Sequence, residues 1–334
     1  MTNDLSPGSI VEKKIPASGE IPRRRTAMLT RIAIPGLVVM VLAVASGTIP
    51  GFGAADNIRA ILLNASVVGI LAVGMTPITL SGNFVSLAGQ QQTVLAAIVF
   101  LSLLQGGVSI TVAVLVVVVM STVIGALQGI IVAAGLNPVV TTLAAGAVIL
   151  GLMTMISGGQ LVTAPGTDLS WLVSRGPFGV PTPVFLFIGF TICMVVVVDR
   201  TVIGRRLILV GSNRATAETS GLSARTAALW AFAGFGVAGA IAGVILSAQL
   251  GQITAGDASS LSIDVIAAVL VGGVAIKGGA GSPLNSAAGA VLIAVFTNIM
   301  LLLNFPEGWR ITLVGSAVVV VVCVLHLLRK GVAR

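Results

Sequence analysis

Residues 108–134 read VSITVAVLVVVVMSTVIGALQGIIVAA and carry no charged side chain. The run is longer than the roughly 20 residues that a helix needs to cross a bilayer. Its Val and Ile content favours a strand in water. In hydrocarbon no solvent satisfies a backbone N–H or C=O, so a lone segment must pair its own and becomes a helix. The rest of the chain follows suit: 56% of its 334 residues are hydrophobic and 8% charged, where soluble domains carry about a quarter charged residues. The 41 glycines fit the same medium, because small residues let helices approach where no hydrophobic drive exists between them. The expected fold class is an all-α polytopic membrane protein.

Breaks between apolar runs place about ten transmembrane helices, near 31–49, 58–80, 84–104, 108–134, 139–157, 181–198, 226–250, 263–277, 285–304 and 309–328. With both termini cytoplasmic, this map puts all of the 18 basic residues inside except Arg59, Arg175 and Arg310. Cytoplasmic loops of membrane proteins collect Lys and Arg in this way, and an odd span count would spoil the division. Three regions follow: a disordered cytoplasmic tail at 1–30, a transmembrane domain at 31–328, and a basic tail at 329–334. No secretory signal is expected at the start. The setting is a multi-pass membrane protein, with the lipid bilayer as its solvent. The net charge of +8 does not imply nucleic acid, since the cations sit at helix ends and tails rather than on a patch interleaved with aromatics. Cys193 and Cys323 fall in separate apolar runs and read as buried hydrophobes. The longest external loop, 158–180, is rich in Gly, Pro and Thr and reads as an ordered cap.

Reaction chemistry is missing from the composition. There is no ATP-binding loop of the Gly-x4-Gly-Lys-Ser/Thr type; GGVAIKGGAGSP at 272–283 lacks that spacing and reads as a tight inter-helix turn. The single histidine, His326, is expected at an interface. No catalytic residue, metal ligand or bound cofactor is expected, and any ATP and Mg would sit on a partner. Of the 10 acidic residues only Asp264 touches the edge of a span. Proton- or ion-coupled transporters place ionisable groups at mid-membrane, so energy for transport would have to come from another subunit. What the spans offer is neutral polarity. Asn64, Thr76, Asn83, Gln90, Gln91, Asn137, Thr141 and Asn298 are the candidates for lining a path for a neutral hydroxylated solute, with Thr79, Gln92, Thr142 and Thr297 also polar. The competing reading is helix-to-helix glue. The QQQ at 90–92 resists it, because its side chains point to different faces of a helix.

The longest internal cytoplasmic loop is 199–225. Within it Ser212 or Asn213 suits an N-cap, Ala215 to Ser220 favours helix, and Gly221 suits the left-handed position that ends one. A helix of two turns is marginal alone and makes sense docked in a groove on a partner. An ordinary polar loop is the plainer alternative.

The loop also resembles a known family. RTVIGRRLILVGSNRATAETSGLSAR at 200–225 is similar to the cytoplasmic loop of ribose-type sugar ABC importer permeases, matching at Arg200, Thr201, Gly204, Arg205, Gly211, Asn213, Ala217, Ser220, Gly221 and Leu222. The likeness continues in GMTPITLSGN at 74–83, LNPVVTTLAAGAVILGL at 136–152 and SIDVIAAVLVGGVAIKGGAGSPLNSAAGAVLIAVFTNIMLLL at 262–303. One departure is SGNFVSLAGQQQ at 81–92, where the family has Gly-Gly-Ile-Asp-Leu-Ser; Asn83 or Phe84 stands at the acidic position. The resemblance implies a transport subunit, multi-pass in a bacterial plasma (inner) membrane, rather than an enzyme. Its partners would be a second permease subunit (homo- or heterodimer), a cytoplasmic ABC ATPase and an extracytoplasmic solute-binding protein that delivers a monosaccharide or polyol. It also implies that Arg205, Gly211, Asn213, Arg214, Ala217, Glu218, Ser220 and Gly221 form the ATPase-coupling site. Nucleoside or branched-chain amino acid permeases are the near alternatives, and a ten-span drug/metabolite secondary transporter the distant one. Segments 67–82 and 265–282 each run from an apolar span into a small-residue turn, in the same orientation.

Overall fold

The computed structural model describes residues 40–317 apart from Arg175, together with the isolated positions 36 and 319. The expected tails at 1–30 and 329–334, the start of the first span, the end of the last, Cys323 and His326 lie outside the described residues.

In chain order the elements are α1 (Ala55–Leu80), α2 (Gly89–Gln105), α3 (Ile110–Ala133), α4 (Pro138–Ser157), β1 (Val162–Thr163), α5 (Ser170–Val173), α6 (Thr182–Arg200), α7 (Val202–Ser212), α8 (Arg214–Thr219), α9 (Ala224–Leu250), β2 (Gln252–Ile253), α10 (Leu261–Val271) and α11 (Pro283–Leu302). Residues 40–48 and 307–317 are also helical. Among the described residues 6 helices are long and apolar enough to cross a membrane: α1, α3, α4, α6, α9 and α11.

Two expected spans are shorter than the sequence suggests. α2 begins at Gly89 and not near 84, and has 17 residues; α10 stops at Val271 and not near 277, and has 11. At 1.5 Å per residue they reach about 26 and 16 Å, short of a hydrocarbon core of about 30 Å. Each is joined to a non-helical stretch, 81–88 before α2 and 272–282 after α10. Both stretches hold glycines at positive φ, Gly82 (80°) in one and Gly273, Gly278 and Gly279 (73°, 89°, 71°) in the other. Apolar composition there continues a span that the backbone does not continue as helix.

Burial separates core from periphery. Along its most apolar stretch α1 is 83% buried, against 22% for α3 and 28% for α4 and α6. α1 is therefore the central helix, with α9, α11, α10 and α6 packed round it. α3 shows the reversed amphipathicity of a lipid-facing helix: Leu115, Val119, Val123 and Leu127 are exposed, while Ala113, Val117, Ser121, Gly125, Gln128 and Val132 are buried. Its buried stripe is where polar and small residues collect, because against lipid only a neighbouring helix can satisfy them.

Glycine lets helices cross backbone against backbone. A methyl on Gly125 of α3 would collide with the Phe232 carbonyl of α9, and one on Gly236 of α9 with the Ser121 carbonyl of α3. α10 and α11 form a second such pair, in which Gly272 lies on the Asn285 backbone and Gly289 on that of Ala268.

The 158–180 loop folds over the end of the bundle away from α7 and α8. β1 pairs antiparallel with β2, Val162 opposite Ile253, and Arg59 at the start of α1 donates from Nη2 to the Val173 carbonyl at 3.0 Å. Hydrogen bonds from the Ser170 hydroxyl and N–H hold the exposed Asp168 carboxyl below the usual carboxylate range.

Candidate functional site

The loop 199–225 is two helices, not the single short one that the sequence suggests. Thr201 caps α7 by accepting from the Gly204 N–H at 3.2 Å, and Gly204 presses against the backbone of Val197 and Val198. This explains the Thr-x-x-Gly spacing: one residue starts the new helix, and the other lets it fold back on α6 without a side chain in the way. α7 buries Gly204, Leu207 and Val210 and exposes Arg205 and Arg206. The 3-residue spacing of Leu207 and Val210 is the signal that the sequence reading passed over, because the flanking arginines made the segment look like loop.

Asn213 makes the corner. Its backbone is extended (φ −158°, ψ 101°), ending α7, and its side chain accepts from the Thr216 N–H at 3.1 Å to start α8. Gly221 sits in the left-handed region at φ 77°. Its N–H donates to the Glu218 carbonyl and that of Leu222 to the Ala217 carbonyl, the paired bonds of a Schellman ending. Ala217 is buried in the main core cluster, with Leu222 packed against that cluster. The outward face of α8 carries Arg214 and Glu218, paired at 3.0 Å with both side chains more than half exposed, and Ser220 closes on the Thr216 carbonyl. Replacing Asn213 by alanine removes the cap and is expected to cost about 1 kcal/mol; hydrogen exchange confined to residues 214–219 checks it, and unchanged exchange there would refute the cap's role.

Where α7 meets α8, three distant segments touch backbone to backbone. A methyl on Gly211 would collide with the Leu80 carbonyl, and would stand 2.8 Å from the Gly279 nitrogen and 2.9 Å from that of Gly82. The Gly279 N–H donates to the same Leu80 carbonyl at 3.0 Å. Gly278 in turn lies on the Gly82 backbone. The turn after α1, the end of α7 and the KGGAG turn after α10 thus form one glycine junction, and the like-looking ends of 67–82 and 265–282 meet there. Beside it opens a cavity of about 240 Å³, lined by Ser81, Asn83, Val132, Ser212, Arg214 and Lys277 among others.

From the junction the non-helical residues 83–88 lead to the glutamines, and each glutamine goes to a different neighbour. Gln90 donates from Nε2 to the Asp257 carbonyl at 3.3 Å, and from its backbone N–H to the Ser262 hydroxyl at 3.2 Å. The Gln91 amide lies over Gly146 of α4, 3.6 Å from where a Cβ would stand. Gln92 donates to the Ser121 carbonyl of α3 at 2.8 Å and lies over Gly239 of α9. Leu87 donates to Thr142 at 3.2 Å, which brings α4 alongside.

The remaining path candidates divide. Asn83, Gln90 and Gln91 lie along 81–92, Asn83 donating to the Ser81 hydroxyl at 2.9 Å, and Thr141 is buried on α4 beside Thr142. Thr76 is buried and shares a 2.7 Å hydrogen bond with Ser286 of α11, which is glue. Asn137 is exposed and caps α4 through the Val139 N–H. Asn298 donates to Asn57 at 2.8 Å, near the start of α1 and far from the junction; Asn64 is half-buried within α1. The Thr76–Ser286 bond is expected to contribute about 0.6 kcal/mol, so Thr76→Val should lower thermal stability slightly; a loss of several kcal/mol in a detergent melt would contradict that reading. No group of three His, Cys, Asp or Glu side chains that could hold a metal occurs among the described residues.

A family model described as branched-chain amino acid transport system / permease component matches residues 57–325. The ribose import permease protein RbsC of Haemophilus influenzae is 29% identical over 294 residues, which cover 86% of this chain and 90% of that one. The galactofuranose transporter permease protein YtfT of Escherichia coli is 31% identical over 267 residues, covering 79% and 77%. The autoinducer 2 import system permease protein LsrC of Yersinia enterocolitica is 26% identical over 275 residues, covering 82% and 76%. No solved structure matches the chain. The matched region takes in the α7–α8 corner, the glycine junction and the glutamine segment, so the elements that define this site lie inside it, and the chain belongs to the family of branched-chain amino acid transport system permease components.

Proposed function

We propose that the protein is the membrane permease subunit of an ATP-binding cassette importer and carries a neutral monosaccharide or related polyol. The observation that carries this reading is the α7–α8 corner: a short helix with an exposed polar face, capped at both ends and bound to α1 and the α10–α11 turn through Gly211. A push on α8 has no side-chain slack to absorb it before it reaches the central helix. In this reading α8 is the coupling helix, and its end of the bundle faces the cytoplasm, as its arginines favour. Ten spans, both termini inside, a dimer of permeases, two ATPase subunits holding ATP and Mg, and an external binding protein complete the assembly in a bacterial inner membrane. The names of a ribose import permease and a galactofuranose transporter permease among its relatives support a sugar, as does the lack of charge among the groups along 81–92.

Co-purification from native membrane under mild detergent tests this. An ATPase subunit should accompany the wild type and be lost with Glu218→Arg, which reverses the charge on the face of α8, and with Gly221→Pro, which breaks its ending. A wild type that brings down no ATPase, yet still moves solute in vesicles, would sink the importer reading.

A further inference from the structure

The buried stripe of α3 poses a problem that the site above leaves unsolved. Gln128 is 2% exposed, and neither its Nε2 nor its Oε1 has a hydrogen-bond partner in the protein. The hydroxyls of Ser86 and Ser121 and the Gln92 Oε1 are in the same state, on residues no more than 1% exposed. The Gln91 Oε1 and Thr141 Oγ1 join them. An unmet polar group is costly in a protein interior and finds no relief in lipid; such clusters call for an occupant.

Two contacts place these groups between the same pair of segments. Gln92 holds the Ser121 carbonyl, which ties α2 to α3. Gln128 is two turns further along the same buried face of α3, and Val132 one turn beyond that. On the other segment, Ser86 lies six residues before Gln92 and three after Asn83. Val132 and Asn83 both line the cavity beside the glycine junction. The unmet groups therefore lead from the α2–α3 contact toward an opening next to α8.

We propose that this seam, between residues 81–92 and the 121–132 face of α3, is a hydrated site within one protomer that opens at the α8 end. It takes hydroxyl groups, either those of internal water or those of a neutral polyol. Gln128 offers two donors and an acceptor, Gln92 a free acceptor, and Ser86 and Ser121 groups that both give and accept; no charged residue occurs in 81–92 or 121–132, the charges of Arg214 and Lys277 standing only at the cavity. Water hydrogen-bonds two to four polar groups at a time, and the seam offers amides and hydroxyls of both donor and acceptor type. Calling the polyol a transported solute rests on the permease reading. The hydration itself does not, and it is measured without transport.

The test uses thiol labelling of the full chain in lipid nanodiscs, with Cys193 and Cys323 replaced by alanine. Ser86→Cys, Ser121→Cys and Gln128→Cys are treated with a small sulfonated methanethiosulfonate, alongside Asn83→Cys at the cavity and Val119→Cys on the lipid face. Thiolate, the reacting form, requires water, so the Ser86 and Gln128 variants should react at least about tenfold faster than Val119→Cys. Slowing by ribose, but not by glycine betaine, which has no hydroxyl, would identify the polyol as an occupant; equal rates with both would identify water. Both results uphold a hydrated seam. If Asn83→Cys reacts while Ser86→Cys, Ser121→Cys and Gln128→Cys stay as slow as Val119→Cys in protein that remains monodisperse, the seam is dry and the proposal fails. Gln128→Leu gives an independent readout: a dry seam predicts a higher melting temperature with the apolar side chain, and a hydrated one a lower.

Discussion

In the importer reading, Gly211→Ala is expected to cut solute uptake by at least about fivefold while leaving the protein inserted and ATP hydrolysis by a partner subunit intact. The added methyl meets the Leu80 carbonyl and stands within 3 Å of the Gly82 and Gly279 nitrogens, and none of these is the movable end of a side chain. The junction must open, at a cost of about 1–3 kcal/mol for overpacking of this kind. A free-energy difference of that size corresponds to about a 5- to 150-fold change in coupling between two sites. Because the collision is between backbones, it acts on the link between α7 and α1 rather than on the outer face of α8. ATP hydrolysis should then run without transport. Uptake and hydrolysis measured together in proteoliposomes, with binding protein and ATPase supplied, give the answer; uptake at the wild-type rate would show that the junction transmits nothing.

Gly236→Val should be the most damaging change to the fold itself. A Cβ at 236 collides with the Ser121 carbonyl and lies 2.9 Å from the Thr122 Cα, with Gly125 answering it from the other helix. A branched side chain there pushes α3 off α9 over the crossing that both glycines permit, and the expected loss is about 3 kcal/mol or more. It would also part Gln92 from Ser121. Gly151 and Gly234 have nothing within 4 Å of a Cβ, so Gly151→Val and Gly234→Val are the controls, similar in composition and free of the collision. Thermal melts in detergent and the amount of protein in the membrane should fall for Gly236→Val alone. Equal melts for all three would mean that the α3–α9 approach is not held by glycine.

The contrast between these glycines marks how far the sequence reaches. That small residues bring helices together was legible from composition, but which of 41 glycines do so was not. Gly125 and Gly151 look alike in the chain, and differ only because one faces α9 and the other faces outward. The α8 corner was readable in detail, since capping at Asn213 and the left-handed turn at Gly221 are local. α7 was not, because its arginines hid the Leu207 and Val210 face that packs on the bundle. The glutamines at 90–92 announced separate neighbours, and the structure supplies them: the Asp257 carbonyl, Gly146 and Ser121. Ser121 and Gln128 were lost in an aliphatic run, where only their seven-residue spacing round Gly125 hinted at a shared buried face.

Membrane residence and helical class were determined by the sequence alone, because an uncharged run in hydrocarbon has no other way to satisfy its backbone. So were the caps of α8, whose hydrogen bonds close within a few residues. The tertiary structure decided that α1 is the core, that α2 and α10 are short helices joined to open chain, and that Leu80, Gly211 and Gly279 meet at one point. Those outcomes depend on contacts between residues more than 65 positions apart in the chain, and local hydropathy, which is high for buried and lipid-facing helices alike, carries no information about them.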